Sequence, residues 1–405
     1  MKVENLKEID LEEYRRFVGE EVNEIREIAR DLKGLKVVHV NATAFGGGVA
    51  ELLSALVPLM RSVGLKVSWE VMEAPPEFFN VTKKLHNALQ GGDVEITKEE
   101  WDLYTKVNGE NAKKLELDAD VLVIHDPQPA AIPLFLKKGG RLVWRCHIDL
   151  SNPNEEVWER FKEYIEPYEK MLFHMREYFP KEFEDRAVQF PPSIDPLSEK
   201  NREMSEVEIK EILKRLSIPD KPALTVVARF DPWKDLFSAV DVYRMVKSEV
   251  DVQLLVVSAM AHDDPEGWIF YERVLRYAGT DEDIRFLTNL TGVGAKQVNA
   301  IQRFSKIGLH TATREGFGLV ISEMMWKGNP VVARPAGGVK LQIDDGVNGV
   351  LRWKKVDLAG EIVRLLEDED RRKEMGRKAK EKVRKNFLVT SHLRRYLEIF
   401  REISS

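Results

Sequence analysis

The feature of this sequence that most constrains its fold is a repeated alternation of short β-branched strands and helical runs, in which the strands end in polar or glycine-rich residues. The first strand, LKVVHVN at 35–41, is followed by ATAFGGGVA, a helical run and a second strand at 65–72. Strands that alternate with helices indicate a parallel sheet covered by helices. The alternation restarts after residue 217, so the sequence predicts an α/β protein with two similar halves.

The length of 405 residues also favours two domains, because a single hydrophobic core stops growing at about 250–300 residues. Residues 151–215 have a mostly helical and charged pattern, and SIPDKP at 217–222 marks the start of the second half. We therefore predict a first domain over residues 1–216, a second domain over 217–385 and a terminal helix over 386–405.

Composition excludes several classes of protein. Lys+Arg 62 and Asp+Glu 68 give a formal net charge of −6, spread along the chain, which argues against a nucleic-acid or anionic-membrane surface. The single cysteine, Cys146, rules out an internal disulfide and a cysteine-based zinc cluster. The N-terminus lacks an apolar signal core and no run of about 18 apolar residues occurs, so we expect a cytoplasmic protein.

Polar side chains cluster where two predicted strands of the first half end. His125, Asp126 and Gln128 follow the strand ADVLVI, and His147 and Asp149 follow the strand GRLVW. In open α/β sheets, ligands bind in the crevice at the carboxyl ends of the strands. These five side chains are therefore candidates for a ligand site.

The glycines after the first strand have two interpretations. Gly46, Gly47 and Gly48 stand between a strand and a helix, where backbone N–H groups and the helix dipole favour an anion or a sugar. The alternative is a tight turn that needs positive φ. A dinucleotide fingerprint is absent because Glu51 stands where the third glycine would be, which argues against a nicotinamide dehydrogenase.

Two cations follow the first strand of the second half. Arg229 and Lys234 are five positions apart in ARFDPWKD, and a guanidinium fork and an ammonium group at this spacing can straddle a diphosphate. Two solvated loop cations are the alternative. Further along, free N–H groups at the start of a helix form a second candidate anion cradle. The residues of this cradle are Gly316, Phe317, Gly318 and Leu319.

Two glutamates accompany this cradle. Glu315 would be a poor phosphate ligand because like charges repel, but its carboxylate is a good acceptor for sugar hydroxyls. Glu323 lies in an apolar helical stretch, where packing favours an apolar side chain. A carboxylate only accepts hydrogen bonds, so Glu323 can hold both hydroxyls of a ribose. The alternative for Glu323 is a structural salt bridge to a nearby Arg or Lys. Together the two positions suggest a ligand with adjoining phosphate and polyol parts.

The stretch REGFGLVISE, with two glutamates separated by seven residues, resembles the E-x7-E hallmark of the retaining family 4 glycosyltransferases. RFDPWKD and the GGG turn match the donor-phosphate and N-terminal glycine loops of that family. Further stretches narrow the resemblance to the trehalose glycosyltransferring synthases and the related trehalose phosphorylases. These stretches are NATAFGGGVAE, IHDPQPAA, WRCHIDLSNPN, PPSIDPLSEKN, MAHDDPEGW and GVGAKQVNAIQR.

The resemblance implies an α/β fold of the GT-B type, with two facing Rossmann-like domains, an interdomain cleft and a last helix that crosses back to the first domain. It also implies that Arg229 and Lys234 bind the donor diphosphate, that Glu323 binds the ribose, and that Glu315 binds hydroxyls of the transferred sugar. His147 would touch that sugar near its 6-hydroxyl or near the bond that breaks.

By the same resemblance, backbone groups complete the donor side. Gly47 and Gly48 would approach the diphosphate, and the amides of residues 316–319 would face phosphate and sugar. The acceptor side would be lined by His125, Asp126, Gln128 and Asp149.

The activity that the resemblance implies is a retaining glucosyl transfer that makes α,α-trehalose from ADP-, UDP- or GDP-glucose and free glucose. No carboxylate is an obvious nucleophile, which favours same-face substitution with the leaving diphosphate as base. A trehalose phosphorylase remains an alternative, and a non-catalytic nucleotide-sugar sensor is disfavoured because Arg229, Lys234 and Glu315 are all present. We expect no required metal or cofactor, with stimulation by Mg²⁺ left open. The tail helix and the 151–180 helices are candidate surfaces of a homodimer.

Overall fold

The structure is a computed structural model, and it describes residues 1–45, 47–137, 140–260 and 265–404. The chain forms two compact units. One consists of Met1–Pro192 together with the residues from Val389 onward, and the other consists of Ser193–Leu388. Gly46 of the glycine turn and residues 261–264 of the MAHDDPEGW stretch lie outside the described residues.

The first unit is built on a parallel sheet of six strands. They are β1 (Lys36–Asn41), β2 (Lys66–Val71), β3 (Val121–His125), β4 (Arg141–Arg145), β5 (Lys170–Phe173) and β6 (Ala187–Gln189). The strand order is β2-β1-β3-β4-β5-β6, a doubly wound order whose direction reverses between β1 and β3. β1 is buried after its first residue, as its β-branched sequence predicts for a central strand.

The second unit repeats this architecture with another parallel sheet. Its strands are β7 (Ala223–Val227), β8 (Gln253–Ser258), β9 (Ile284–Thr288), β10 (Ile307–His310), β11 (Val331–Ala333) and β12 (Gly349–Leu351). The order β12-β11-β10-β7-β8-β9 is that of the Rossmann fold, and its topological switch point lies between β7 and β10.

Helices connect the strands in both units. In the first unit they are α1 (Arg15–Val18), α2 (Glu21–Asp31), α3 (Gly47–Ser62), α4 (Pro76–Leu89), α5 (Lys98–Lys114) and α6 (Glu155–Ile165). In the second unit they are α7 (Glu206–Arg215), α8 (Leu236–Lys247), α9 (Pro265–Ala278), α10 (Ala295–Phe304), α11 (Leu319–Trp326), α12 (Val339–Gln342), α13 (Lys355–Glu367) and α14 (Glu369–Asn386). The last helix, α15 (Val389–Ser404), packs on α2 and α3 of the first unit. Among the described residues, no helix has both the length and the apolar composition that crossing a bilayer requires.

The core of the second unit has two layers, one on each face of its sheet. Leu224 and Val226 of β7 belong to the cluster that includes residues of α8 and α13, while Ala223 joins Leu255 and Val257 of β8 in a second cluster. Successive side chains of a strand point to opposite faces, so a run of consecutive apolar residues fills both layers. This is why the central strands carry little polar character until they end.

Two parts of the structure differ from the sequence interpretation. Residues 151–215, which we expected to be mostly helical, also contain β5 and β6, and the second sheet ends in β12. These three strands have four, three and three residues, which is too short for a period-two pattern to stand out from its surroundings.

The segment before residue 217 also packs differently from the predicted boundary at 216. Residues 193–216 belong to the second unit, where the side-chain amide of Asn299 donates to the carbonyl oxygens of Glu199 (3.0 Å) and Arg202 (2.9 Å). The backbone N–H of Ile194 donates to the carbonyl of Phe387 at 2.8 Å. Residues 193–216 therefore pack within the second unit instead of ending the first domain.

Two helical glycines provide a matched test of how closely α14 approaches Gly328 in the second unit. A Cβ atom on Gly376 of α14 would overlap the carbonyl oxygen of Gly328, whereas one on Gly360 of α13 would meet nothing within 4 Å. We expect Gly376→Ala to lower the free energy of unfolding by about 1–3 kcal/mol through overpacking. Gly360→Ala should raise it by about 0.5–1 kcal/mol through helix propensity. Urea denaturation measures both, and equal effects would contradict the close approach of α14 to Gly328.

Candidate functional site

The switch point of the second unit collects most of the residues that the sequence predicted for a donor site. β7 ends at Val227 and leads to Arg229 and Lys234, and β10 ends at His310 and leads to Glu315. Because β7 and β10 pair in parallel, both loops leave the same edge of the sheet. Ligands of doubly wound folds bind at this position.

Lys234 and Glu315 form an ion pair at this edge. Lys234 Nζ lies 2.7 Å from Glu315 Oε2, and the two side chains are only 16% and 11% exposed. His310 Nε2 lies 3.0 Å from the same carboxylate oxygen. Burial alone would raise the pKa of the Glu315 carboxyl, but hydrogen bonding and charge from His310 and Lys234 outweigh burial and lower this pKa to about 2. Glu315 is therefore an ionised acceptor at neutral pH.

Hydrogen bonds join the two loops into one surface. The hydroxyl of Thr311 donates to the carbonyl oxygens of Lys234 (3.1 Å) and Asp235 (3.0 Å). The backbone N–H of Thr313 donates to the carbonyl of Trp233 at 2.8 Å. The position of the Lys234 ammonium group is thus set by the loop that carries Glu315, and not by its own loop alone.

Asp235 and Arg334 connect and stabilise the same two loops. Asp235 has a left-handed backbone (φ 45°), caps α8 through the N–H of Ser238, and accepts a hydrogen bond from Arg334 Nη1 at 2.6 Å. Arg334 Nη1 also donates to the carbonyl of Thr311 at 2.8 Å. A left-handed residue other than glycine is uncommon, and here its side chain makes the compensating bonds.

Arg229 is placed differently from Lys234. Its side chain is 74% exposed, and its Nη2 atom lies 3.4 Å from Asp231 Oδ2 on the same loop. Asp231 in turn accepts a hydrogen bond from the N–H of Trp233 and caps the 3₁₀ turn Pro232–Lys234. Arg229 is therefore a solvated cation at the rim of the switch point.

The predicted anion cradle at 316–319 is a turn that leads into α11. Gly318 has φ 81°, a left-handed conformation that favours glycine, and it precedes the first helical residue, Leu319. The side-chain amide of Gln342 donates to the carbonyls of Phe317 (2.6 Å) and Gly318 (3.2 Å), which fixes the backbone of this turn. The Phe317 ring is buried against Phe387, with ring centroids 5.5 Å apart. Because the first N–H groups of an α-helix have no acceptor within it, Leu319 presents a donor at this turn.

Glu323 is buried in α11, with only 4% of its side chain exposed, and Lys200 Nζ lies 3.3 Å from its Oε1 atom. A buried carboxylate needs a partner, and Lys200 supplies one. No sequence spacing indicated Lys200, because it comes from the connector before α7. Its only signal was the PPSIDPLSEKN stretch, which carries the family resemblance.

The switch point of the first unit holds the other predicted residues. Gly47 and Gly48 are the first residues of α3, which follows β1, and Asp126 and Gln128 follow β3. Asp126 has φ 67°, and its Oδ1 atom accepts a hydrogen bond from the N–H of His147 at 2.8 Å. Burial raises the pKa of Asp126 to about 6, although the His147 N–H and the charge of Arg145 oppose the rise.

Asp149 and Gln128 have local partners. Asp149 Oδ1 accepts from the N–H of Ser151 at 2.8 Å, so this carboxylate closes the turn after β4. The backbone carbonyl of Gln128 accepts from the side chain of Asn108 at 3.1 Å, which fixes the loop after β3. The structure therefore holds the backbone of both loops in place.

Four histidines form a hydrogen-bonded row along this edge, which we call the histidine row. Its members are His39, His125, His147 and His174. Nδ1 of His39 lies 3.0 Å from Nε2 of His125, Nδ1 of His125 lies 3.1 Å from Nε2 of His147, and Nδ1 of His147 lies 3.5 Å from Nε2 of His174. Burial lowers the pKa of all four rings, to about 3 for His39, and the charge of Arg145 lowers it further for the other three.

Only two members of the row, His125 and His147, were predicted from the sequence. His39 lies inside an apolar strand and His174 follows a strand that the periodicity did not indicate. A signal was present, since each of the four sits in or just after one of the neighbouring strands β1, β3, β4 and β5. Within the described part of the chain, no group of three or more His, Cys, Asp or Glu side chains is arranged to hold a metal ion.

Comparisons with known proteins identify the relatives of this chain. A family model described as trehalose synthase, N-terminal domain, matches residues 39–180, and one described as glycosyl transferases group 1 matches residues 208–382. The chain is 51% identical to a trehalose synthase of Pyrococcus horikoshii over 97% of its length and 96% of the relative. It is 45% identical to a trehalose synthase of Rubrobacter xylanophilus over 97% of both chains. A trehalose phosphorylase of Pleurotus pulmonarius is 29% identical over 89% of this chain and 56% of its own length.

Two synthases are among the solved structures with the same fold. An α,α-trehalose 6-phosphate synthase from Burkholderia multivorans superposes with a TM-score of 0.72 at 15% identity, over 92% of this chain and 99% of that one. A sucrose-phosphate synthase from Thermosynechococcus elongatus gives 0.70 at 14% identity, over 91% and 99%. The predicted α/β fold of the GT-B type is confirmed.

The ionised state of Glu315 predicts how stability depends on pH. A carboxyl whose pKa is lowered by folding stabilises the native state above its unfolded pKa of about 4.3, and this contribution is lost as pH falls toward the folded value of about 2. We expect Glu315→Gln to be less stable than the wild type by about 2–3 kcal/mol at neutral pH, and the difference should shrink toward acid.

Urea midpoints at neutral pH and at about pH 3 measure this dependence. The matched control is Glu272→Gln, because Glu272 forms an exposed pair with Arg276 that contributes little. A stability difference for Glu315→Gln that stays constant from neutral to acid pH would show that the Lys234 and His310 contacts do not hold the carboxylate ionised.

Proposed function

The chain belongs to the trehalose synthase family of group 1 glycosyltransferases, and we propose that it is a retaining glucosyltransferase that forms α,α-trehalose from a nucleoside-diphosphate glucose and free glucose. The observation that carries the proposal is the buried pair of Lys234 and Glu315 at the switch point of the second unit. An ammonium group beside an ionised acceptor suits a ligand in which a diphosphate adjoins a sugar.

Lys234 can serve both parts of such a ligand. An ammonium group has three N–H donors, so Lys234 can keep its bond to Glu315 and still donate to phosphate oxygens. Glu315 retains the contact with His310 at 3.0 Å, which keeps its carboxylate in place when the diphosphate competes for Lys234. The Glu315 carboxylate is proposed to accept hydrogen bonds from hydroxyls of the transferred glucose.

Arg229 and the start of α11 add to the stabilisation of the diphosphate. The guanidinium of Arg229 is exposed and held by one partner at 3.4 Å, so it can swing onto a phosphate at little cost. The N–H of Leu319 and the positive end of the dipole of α11 also favour the negative charge of the diphosphate. In the proposed same-face substitution, these donors stabilise the leaving diphosphate, and its oxygen takes the proton of the incoming hydroxyl.

Glu323 is proposed as the ribose ligand. Its Oε1 atom contacts Lys200, and a carboxylate has enough lone pairs to accept from the two hydroxyls of a ribose as well. Lys200 places a positive charge beside this buried carboxylate. This pairing unites the two interpretations of Glu323, since a structural salt bridge is compatible with ligand binding.

The first unit is proposed to bind the acceptor glucose. The side chains of Asp126, Gln128 and Asp149 supply acceptors and donors for sugar hydroxyls, and Asp126 is ionised at neutral pH because its pKa is about 6. His125 is fully buried, so it contributes to this site through His147 and not by direct contact. Gly47 and Gly48, the first residues of α3, are proposed to approach the diphosphate of the donor.

The substrates of this proposal are small molecules. Activity without a metal, a cytoplasmic location and a homodimer stay predictions from the sequence. Trehalose phosphorylase is the second candidate, because proteins of that name match 89% of this chain. The higher identity to trehalose synthases, 51% against 29%, favours the nucleotide over phosphate.

A single assay separates these activities. The purified protein is incubated with trehalose and with ADP, UDP, GDP or inorganic phosphate, and released glucose is measured. We expect release with at least one nucleoside diphosphate and none with phosphate. Release with phosphate alone would identify a phosphorylase, and no release with any of them would reject the proposal.

Lys234→Met should lower kcat by about 100-fold, because one preorganised charge donor to the leaving group is lost. The matched control is Lys382→Met. Lys382 lies on α14 of the same unit, its side chain is 25% exposed, and it pairs with Asp344. Initial rates of trehalose synthesis measure both variants. Equal rates for Lys234→Met and wild type would remove Lys234 from the donor site.

Glu323→Gln should weaken binding of the nucleoside diphosphate by about 10-fold or more, since hydrogen bonds to a charged acceptor are replaced by weaker ones. Calorimetry with the diphosphate that supports activity measures this loss. Inorganic pyrophosphate is the matched probe, because it has no ribose and should bind wild type and variant alike. An equal loss for both ligands would assign Glu323 a purely structural role.

A further inference from the structure

The histidine row of the first unit is a connected set of rings whose protons depend on one another. A neutral imidazole has one N–H donor and one bare nitrogen acceptor. His39 meets His125 through Nδ1 and Nε2, and His125 meets His147 in the same sense. Each contact can hold only one proton, so the tautomer of one ring dictates that of the next. The row therefore has two proton arrangements.

The buried end of the row selects one of them. His39 is fully buried, and its Nε2 atom has no hydrogen-bond partner within the described part of the chain. Its ring packs edge-on against Tyr396, with centroids 5.7 Å apart. A buried N–H without an acceptor costs more than a bare ring nitrogen, so the proton of His39 belongs on Nδ1. His39 then donates to His125, and His125 carries its own proton on Nδ1.

The third ring of the row, His147, is half-buried. Since His125 donates to Nε2 of His147, the proton of His147 must lie on Nδ1. The contact from this Nδ1 to His174 is 3.5 Å, the longest of the row and at the limit of a useful hydrogen bond. A ligand oxygen can replace so weak a contact at little cost.

We propose that His39 and His125 are positioning residues that lock His147 in the Nδ1–H tautomer, so that His147 donates a hydrogen bond to a hydroxyl oxygen of the bound sugar. The identity of that ligand rests on the proposed function, whereas the tautomer lock is a property of the protein without ligand. The role of the row is orientation and not proton supply.

The surroundings of the row keep it neutral. Burial and the positive charge of Arg145 lower the pKa of His125 and His147 well below the ordinary value, so a second proton on either ring is disfavoured at neutral pH. Arg145, the last residue of β4, is the register partner of His125 on the neighbouring strand β3. This pairing holds the guanidinium charge beside the row. In a neutral row, the tautomer of His39 determines the tautomers of His125 and His147, and the sugar site gains no additional charge.

The first test is ¹⁵N NMR of the ligand-free protein labelled in histidine, with the His147 signals assigned by their loss in His147→Gln. We expect a pyrrole-type signal for Nδ1 and a pyridine-type signal for Nε2 of His147. The reverse pattern in the wild-type protein would overturn the proposal. This readout does not depend on activity, so an inactive protein with the expected pattern would refute the proposed function and leave the lock intact.

The second test changes the start of the row. His39→Leu removes the donor, and we expect the His147 signals to become a mixture of tautomers and kcat to fall by about 10-fold, the effect of one hydrogen bond. His39→Asn places an amide N–H near the former Nδ1 and should restore both the pattern and most of the rate. Binding of the nucleoside diphosphate should be unchanged in both.

The matched control is His392→Leu, which removes another buried histidine, bonded to the carbonyl of Pro191 and outside the row. It should keep the wild-type pattern of His147. An unchanged pattern in His39→Leu, or the same change in His392→Leu, would overturn the lock. If His39→Leu does not fold, the wild-type spectrum and His39→Asn decide, because a side-chain amide at this position that fails to preserve the Nδ1–H tautomer of His147 contradicts the proposal.

Discussion

The parallel pairing of β7 with β10 is the constraint on which the site of the second unit depends. It sends two loops from one edge of the sheet, and these loops carry the opposite charges of Lys234 and Glu315 into a place where water is largely excluded. Charges in such a place must find each other or a ligand, because an isolated buried charge is costly. The Thr311 hydroxyl and the Asp235–Arg334 pair fix the distance between the loops. The ion pair is thus prepared before a ligand binds.

The two units use different electrostatics at equivalent positions. The second unit keeps full charges, with His310 and Lys234 holding Glu315 ionised. The first unit buries a row of imidazoles beside a guanidinium, so its rings stay neutral and act through hydrogen-bond direction. A leaving diphosphate needs charge to be stabilised, whereas a neutral sugar needs oriented donors and acceptors. This division of charge fits the roles that we propose for the two units.

Much of this arrangement could be predicted from the sequence, and the rest depends on tertiary contacts. Long β-branched runs such as β1, β3 and β7 indicated their strands, and parallel topology then placed Asp126 and Lys234 at the carboxyl ends of the strands. The short strands β5, β6 and β12 had too few residues for a periodic signal. The sequence did not indicate His310, Lys200 or His39, because each has its role through contact with a residue that another segment contributes. Periodicity can place Glu323 in a helix, but only folding brings Lys200 to it.

A crystal structure of the protein with a nucleoside diphosphate bound tests the proposed donor site most directly. We expect phosphate oxygens within hydrogen-bond distance of Lys234 Nζ, Arg229 turned away from Asp231 onto the same group, and the ribose hydroxyls on Glu323. A diphosphate bound elsewhere on the protein, with the Lys234–Glu315 pair undisturbed and Arg229 still in solvent, would contradict this proposal.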